Sequence, residues 1–125
     1  MKKTINTSDA PAAIGPYSQA ILTNGTLFVS GQLPVNPANG EMVQNDIIAN
    51  TKQVMENVSA ILKAAGLDFS NVVKTTIFLA DMNDFAKVNE VYSSYFSSDF
   101  PARETVQVAR LPKDAKIEIS VIASA

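Results

Sequence analysis

Apolar residues recur along this chain at two periods, one belonging to strands and one to helices. Ile5 marks a short N-terminal edge strand, and the prolines and glycine of Asp9-Ala10-Pro11-Ala12-Ala13-Ile14-Gly15-Pro16 predict a loop that ends at Tyr17. Ser18 to Thr23 and Thr26 to Gln32 read as strands joined by Asn24-Gly25, a dipeptide suited to a two-residue hairpin turn. Ser30-Gly31 closes the second of these strands, and a glycine there permits close approach of a ligand or another backbone. Pro34, Pro37 and Asn39-Gly40 make the stretch from Leu33 to Gly40 a loop.

The period then lengthens. Ile47, Thr51, Val54, Met55, Val58, Ile61, Leu62 and Ala65 fall at helical spacing, with Asn45 or Asp46 as N-cap and Gly66 just past the end. Val72 to Leu79 is β-branched and aromatic, a central strand with Val73, Thr75, Ile77 and Leu79 on one face. Asp81 and Asp84 fit the first turn of a second helix whose buried stripe is Phe85, Val88, Tyr92, Tyr95 and Phe96, with Asn89 at the edge of that stripe.

The C-terminal quarter holds two alternating runs. Val106 and Val108 share one side of the first, which sets Arg103, Thr105 and Gln107 on the opposite, non-core side; Ile117, Ile119, Val121 and Ala123 set Glu118, Ser120 and Ile122 on the other side of the second. Pro112 and Asp114 interrupt the pair, so two adjacent antiparallel strands are the simplest arrangement. A hairpin about Pro112 and Lys113 sets Glu118 opposite Gln107 and leaves Arg103 four residues, roughly 13 Å, further along. Two separated opposite charges on a non-core face point to a polar site completed by another chain.

Strands, helix, strand, helix and two strands make an α+β sandwich with both helices on one face of a mixed sheet. The other face, carrying Lys74, Thr76, Phe78, Thr105, Gln107, Glu118, Ser120 and Ile122, is too apolar to leave in water, and self-association through it follows. At 125 residues the chain reads as one domain, 1–125.

Composition narrows the chemistry. There is no cysteine and no histidine, which excludes thiolate catalysis, a Ser-His-Asp relay and the usual imidazole metal ligands. An enzyme built from this chain works with carboxylates, hydroxyls, amides, Lys, Arg and backbone donors. A net charge of −2 provides no electrostatic footprint for nucleic acid. No apolar run is long enough to span a bilayer, and Met1-Lys2-Lys3 is not followed by the apolar core of a secretory signal, so a cytoplasmic location is expected.

Over nearly its whole length the sequence resembles the RidA/YjgF family of reactive-intermediate deaminases. The markers are Ala10-Pro11-Ala12-Ala13-Ile14-Gly15-Pro16-Tyr17-Ser18-Gln19, Val29-Ser30-Gly31-Gln32, Asn71-Val72-Val73-Lys74-Thr75-Thr76, Asn83-Asp84-Phe85 with Val88-Asn89, and Pro101-Ala102-Arg103 running through Arg110-Leu111-Pro112-Lys113-Asp114 to Ile117-Glu118-Ile119. The resemblance implies a chorismate-mutase-like fold, a homotrimer joined through its sheets with intersubunit sites, and hydrolysis of 2-imino and enamine acids such as 2-iminobutanoate and 2-iminopropanoate without metal or cofactor. It assigns Arg103 to the substrate carboxylate and Glu118 to activation of water, with Tyr17, Ser30, Gly31, Asn89 and Thr105 lining the pocket.

Three departures bear on substrate preference. Glu104 stands where the family usually has a small residue, Thr105 where it often has cysteine, and Ser120 where a second glutamate is frequent; the loop Ser97-Ser98-Asp99 is also short. Two other function classes compete: a non-catalytic module that binds small carboxylates, which needs Arg103 but not Glu118, and an endoribonuclease, which the acidic charge and missing histidine disfavour.

Overall fold

A computed structural model describes residues 1–125. Its strands are β1 (Lys3–Ile5), β2 (Ala20–Thr23), β3 (Thr26–Gln32), β4 (Val35–Asn36), β5 (Glu41–Met42), β6 (Val72–Leu79), β7 (Ala102–Gln107) and β8 (Ile117–Ser124); the helices are α1 (Ile47–Ala64) and α2 (Phe85–Ser93). Six strands form one sheet in the order β1-β2-β3-β8-β6-β7, and β4 and β5 pair by themselves, β4 inside the loop expected from Leu33 to Gly40 and β5 just after it. No helix is long and apolar enough to cross a membrane.

The local signals explain the elements. Asn24 and Gly25 take φ of 49° and 75°, the left-handed geometry of a type I′ turn, and lock β2 onto β3. The Asp46 side chain caps α1 by accepting from the Ile48 amide at 3.2 Å, and Gly66 at φ 76° follows its last turn. The apolar stripe of α1, including Val54, Val58, Ile61 and Leu62, buries against Leu27, Ile77, Leu79, Ile117 and Ile119 of the sheet. Complete burial of each such Leu or Ile stabilises the fold by about 1.5–3 kcal/mol.

The C-terminal pairing differs from expectation. β7 and β8 are not neighbours: β6 lies between them, parallel to β7 and antiparallel to β8. The segment β6–α2–β7 is a strand–helix–strand crossover, which favours a parallel pair, and the loop through Pro112 then carries the chain to the far side of β6.

The faces change with it. Arg103, Thr105 and Gln107 pair in register with Thr75, Ile77 and Leu79, the side of β6 that meets the helices. They therefore face α2, not the bare face. Glu104 and Val106 take the bare face, where Glu104 meets Lys74 at 2.8 Å. Alternation identifies two sides of a strand but not which side is covered, and here the valine side is the one left open.

The remaining differences are local. A register shift between Val72 and Lys74 turns Val73 outward, 49% exposed, and buries Val72 instead. β2 begins at Ala20, leaving Ser18 and Gln19 in the preceding loop, while α2 ends at Ser93; Tyr95 and Phe96 follow it and still pack on the core. Asp81 caps a short 3₁₀ turn ahead of α2, where its side chain accepts from the Asn83 amide.

Candidate functional site

The seven residues singled out from the sequence fall into two clusters on opposite sides of the sheet. Tyr17, Ser30, Gly31 and Glu118 line one cleft of about 790 Å³ together with apolar residues that include Pro11, Ile14, Leu33 and Val35. Arg103, Thr105 and Asn89 lie away from it, where β7 meets α2.

The cleft is made by a bulge. Between Val29 and Gln32, β3 takes three steps while β8 takes two, from Val121 to Ile119. The extra residue removes Ser30 and Gly31 from the ladder and lets them look away from it. Ser30 instead binds the loop before β2: its Oγ donates to the Ser18 carbonyl at 2.6 Å and its amide to the Gln19 carbonyl at 2.9 Å.

Glu118 projects from β8 over this bulge. A Cβ on residue 31 would lie only 2.6 Å from the Glu118 carboxyl carbon, so the carboxylate occupies space that any other residue would fill. Glu118 is partly buried and accepts no hydrogen bond within the chain, and burial pushes its carboxyl pKa up. A carboxylate poised in this way is a stronger base than a solvated one.

At the other cluster Arg103 is held on three sides. Its guanidinium carbon lies 5.3 Å from the Phe85 ring centroid and 5.2 Å from that of Tyr92, and Nη1 donates to Asn89 Oδ1 at 2.6 Å. The Tyr92 hydroxyl is itself tied to Thr75 Oγ1 at 2.8 Å. Cation–π contact and the amide fix the guanidinium while its remaining N–H groups stay available for a planar anion. Thr105 Oγ1, two residues along β7, is buried with no partner. Asn89 thus touches the arginine itself. Phe85 and Tyr92 were legible only as core, although Phe85, Asn89 and Tyr92 at i, i+4 and i+7 share the helix face that meets Arg103.

No three Asp or Glu side chains converge as a metal-binding group would require. The geometry defines an α+β protein with a carboxylate in a cleft on one sheet face and a preorganised arginine on the other.

Comparison with known proteins agrees with that class. Residues 7–125 match the family described as Endoribonuclease L-PSP. A relative from Capra hircus named 2-iminobutanoate/2-iminopropanoate deaminase is 54% identical over 123 residues, covering 98% of this chain and 90% of the relative. A Yersinia pestis protein of the conserved Rid family has the same fold at TM-score 0.99 and 51% identity, with both chains covered completely. Escherichia coli TdcF, solved with bound serine, aligns at TM-score 0.95 and 47% identity over 98% of this chain and 98% of that one. The chain belongs to this Rid/YjgF family.

Proposed function

We propose that this protein is a hydrolytic deaminase that converts 2-imino and enamine acids, 2-iminobutanoate and 2-iminopropanoate among them, to 2-oxo acids and ammonia. The observation that carries the proposal is that one chain holds both a partly buried carboxylate in a cleft, Glu118, and an arginine, Arg103, held ready for an anion by Phe85, Tyr92 and Asn89. The names of the deaminase relatives and the serine bound to TdcF support a small amino-acid-like substrate.

Because the two groups leave opposite faces of one sheet, a complete site draws them from two copies. The bare face supports such an assembly: Phe28 and Val106 are 46% and 42% exposed there, and Phe78 and Ile122 lie between them in the sheet. In a homotrimer joined through these faces, Arg103 stands on the edge strand β7, at the rim of the sheet, and reaches from there to the cleft of the next copy, giving three equivalent sites.

In such a site Arg103 holds the substrate carboxylate with two parallel hydrogen bonds. That fixes C2 of the imine beside Glu118. The Glu118 carboxylate takes a proton from water as the water oxygen bonds to C2 of the N-protonated imine and the C=N π electrons move to nitrogen, giving a neutral carbinolamine. Glu118 returns that proton to the carbinolamine nitrogen, and as the hydroxyl gives its own proton back to the carboxylate the C–N bond breaks, leaving the 2-oxo acid and ammonia. Tyr17, Ser30, Gly31 and Thr105 shape the pocket around C2 and its side chain. Positioning and general base catalysis, worth typically 10²–10⁴-fold, accelerate a reaction that also proceeds in free water.

The test generates 2-iminobutanoate in situ with an amino-acid oxidase and traps it with semicarbazide. Wild-type protein should suppress trapped product, whereas folded Arg103→Ala and Glu118→Ala variants should not; a wild-type protein that suppresses nothing across several imino acids refutes the proposal.

A further inference from the structure

The wall of the cleft is a long loop with almost no backbone structure of its own. From Asn6 to Ser18 one backbone–backbone hydrogen bond forms, from the Tyr17 amide to the Gly15 carbonyl. Yet this loop supplies Pro11, Ala12, Ile14 and Tyr17 to the cleft, and Ile14 and Tyr17 are 84% and 54% exposed, so burial of these side chains does not hold it. Loops of this length without secondary structure need specific anchors, because their backbone polar groups must find partners elsewhere.

One side chain provides most of them. Gln19, only 3% exposed, accepts from the Thr7 amide through Oε1 at 2.8 Å. Its Nε2 lies 3.0, 3.3 and 2.8 Å from the carbonyl oxygens of Thr7, Ala10 and Pro11, so two N–H groups serve three acceptors. The Gln19 carbonyl meanwhile receives the Ser30 amide from the β3 bulge, which ties the same residue to the strand that shelters Glu118.

We propose that Gln19 is a positioning residue of the site: a buried amide that latches the Thr7–Tyr17 loop against the β3 bulge and so sets the distance between the Tyr17 wall and the Glu118 carboxylate. Gln19 borders the cleft, but it is 3% exposed and both its Oε1 and Nε2 are engaged by the loop, which leaves its amide no group for substrate. Only an amide satisfies both an N–H donor and three carbonyls at this place; a carboxylate accepts without donating, and a thioether does neither. Loss of the latch frees the loop while the sheet and helices keep their packing. The wall contacts ground state and transition state alike, so its release weakens binding more than it slows chemistry.

The kinetic arm of the test rests on the deaminase proposal; the structural arm does not. Gln19→Glu and Gln19→Met are prepared, and hydrogen exchange is followed by mass spectrometry alongside kcat and KM for 2-iminobutanoate generated in situ. Both variants should exchange at least about tenfold faster at the Thr7 amide, with β6 and β8 unchanged, and should raise KM about tenfold with kcat within about threefold. A folded variant with wild-type exchange in the loop, or with faster exchange but unchanged KM, overturns the proposal. If neither variant folds, the wild-type chain decides: a Thr7 amide protected well above the Ala12 and Ala13 amides supports the latch, and an unprotected one overturns it. If the wild type turns over no imino acid, the proposed function fails, and the exchange data still decide the latch.

Discussion

The Glu118 carboxylate rests where a side chain on residue 31 would have to be, its carboxyl carbon 2.6 Å from the position of a Cβ on Gly31. Gly31 is not in a left-handed conformation, so alanine meets no backbone strain there; it meets Glu118 instead. The flexible end of the glutamate yields. Gly31→Ala should therefore lower kcat by about one to two decades through displacement of the base, while Tm changes by no more than a few degrees. Steady-state kinetics beside thermal unfolding checks this.

Tyr92 serves Arg103 through its ring and the core through its hydroxyl. Tyr92→Phe keeps the ring and removes the bond to Thr75, whereas Tyr92→Leu removes the ring. The first should cost about 1 kcal/mol of stability and leave KM near wild type. The second should raise KM about three- to tenfold, because the lost cation–π contact, about 0.5–1 kcal/mol or more when desolvated, lets the guanidinium wander. Comparing KM between the two at a temperature where both are folded separates the roles.

Burial raises the pKa of Glu118, and the sign of its effect on stability follows. An acid whose folded pKa lies above its unfolded value of 4.5 binds its proton more tightly in the fold, so its contribution grows as pH falls through that window. Above the folded pKa the charged group is a net cost. Glu118→Gln should thus be no less stable than wild type at pH 7, with any advantage shrinking as pH falls toward 4.5, while activity falls about 10²–10⁴-fold. Thermal melts at several pH values test the first part and the trapping assay the second.

Glu104 follows Arg103 directly, and as an extra carboxylate beside an anion site it would weaken substrate binding if both pointed the same way. Its side chain lies on the opposite face, paired with Lys74 at 2.8 Å with both groups largely exposed. Such a pair is worth about 0–1 kcal/mol. Glu104→Gln should leave KM within about twofold and shift stability by less than about 1 kcal/mol, and a large fall in KM would place the carboxylate near the substrate after all.

Much of this architecture was legible in the chain. Asn24-Gly25, Asp46 and Gly66 each act through local geometry, so the hairpin and α1 follow from a few neighbouring residues. The order of the last strands did not follow, because pairing of β6 with both β7 and β8 depends on where α2 docks rather than on any neighbouring residue. The side chosen by Arg103 was hidden for a related reason: Val106 looks like a core residue, yet it belongs to the open face. Val73 misled because one extra residue in a bulge reverses parity. Glu118 stood out in the alternation of its strand and Ser30-Gly31 as a strand end open to close approach, and the resemblance supplied their roles and that of Tyr17, while the latch at Gln19 and the aromatic seat of Arg103 emerged only with the tertiary contacts.

In the proposed assembly a working site takes its arginine from one copy and its carboxylate from another. Arg103→Ala and Glu118→Ala should each be inactive alone. Equal amounts unfolded together and refolded as mixed oligomers, the proposed trimers, should regain about one quarter of wild-type activity, the chance that a given interface draws an intact arginine from one parent and an intact glutamate from the other. Refolded mixtures that stay as inactive as either parent, although both variants assemble, would contradict the shared site.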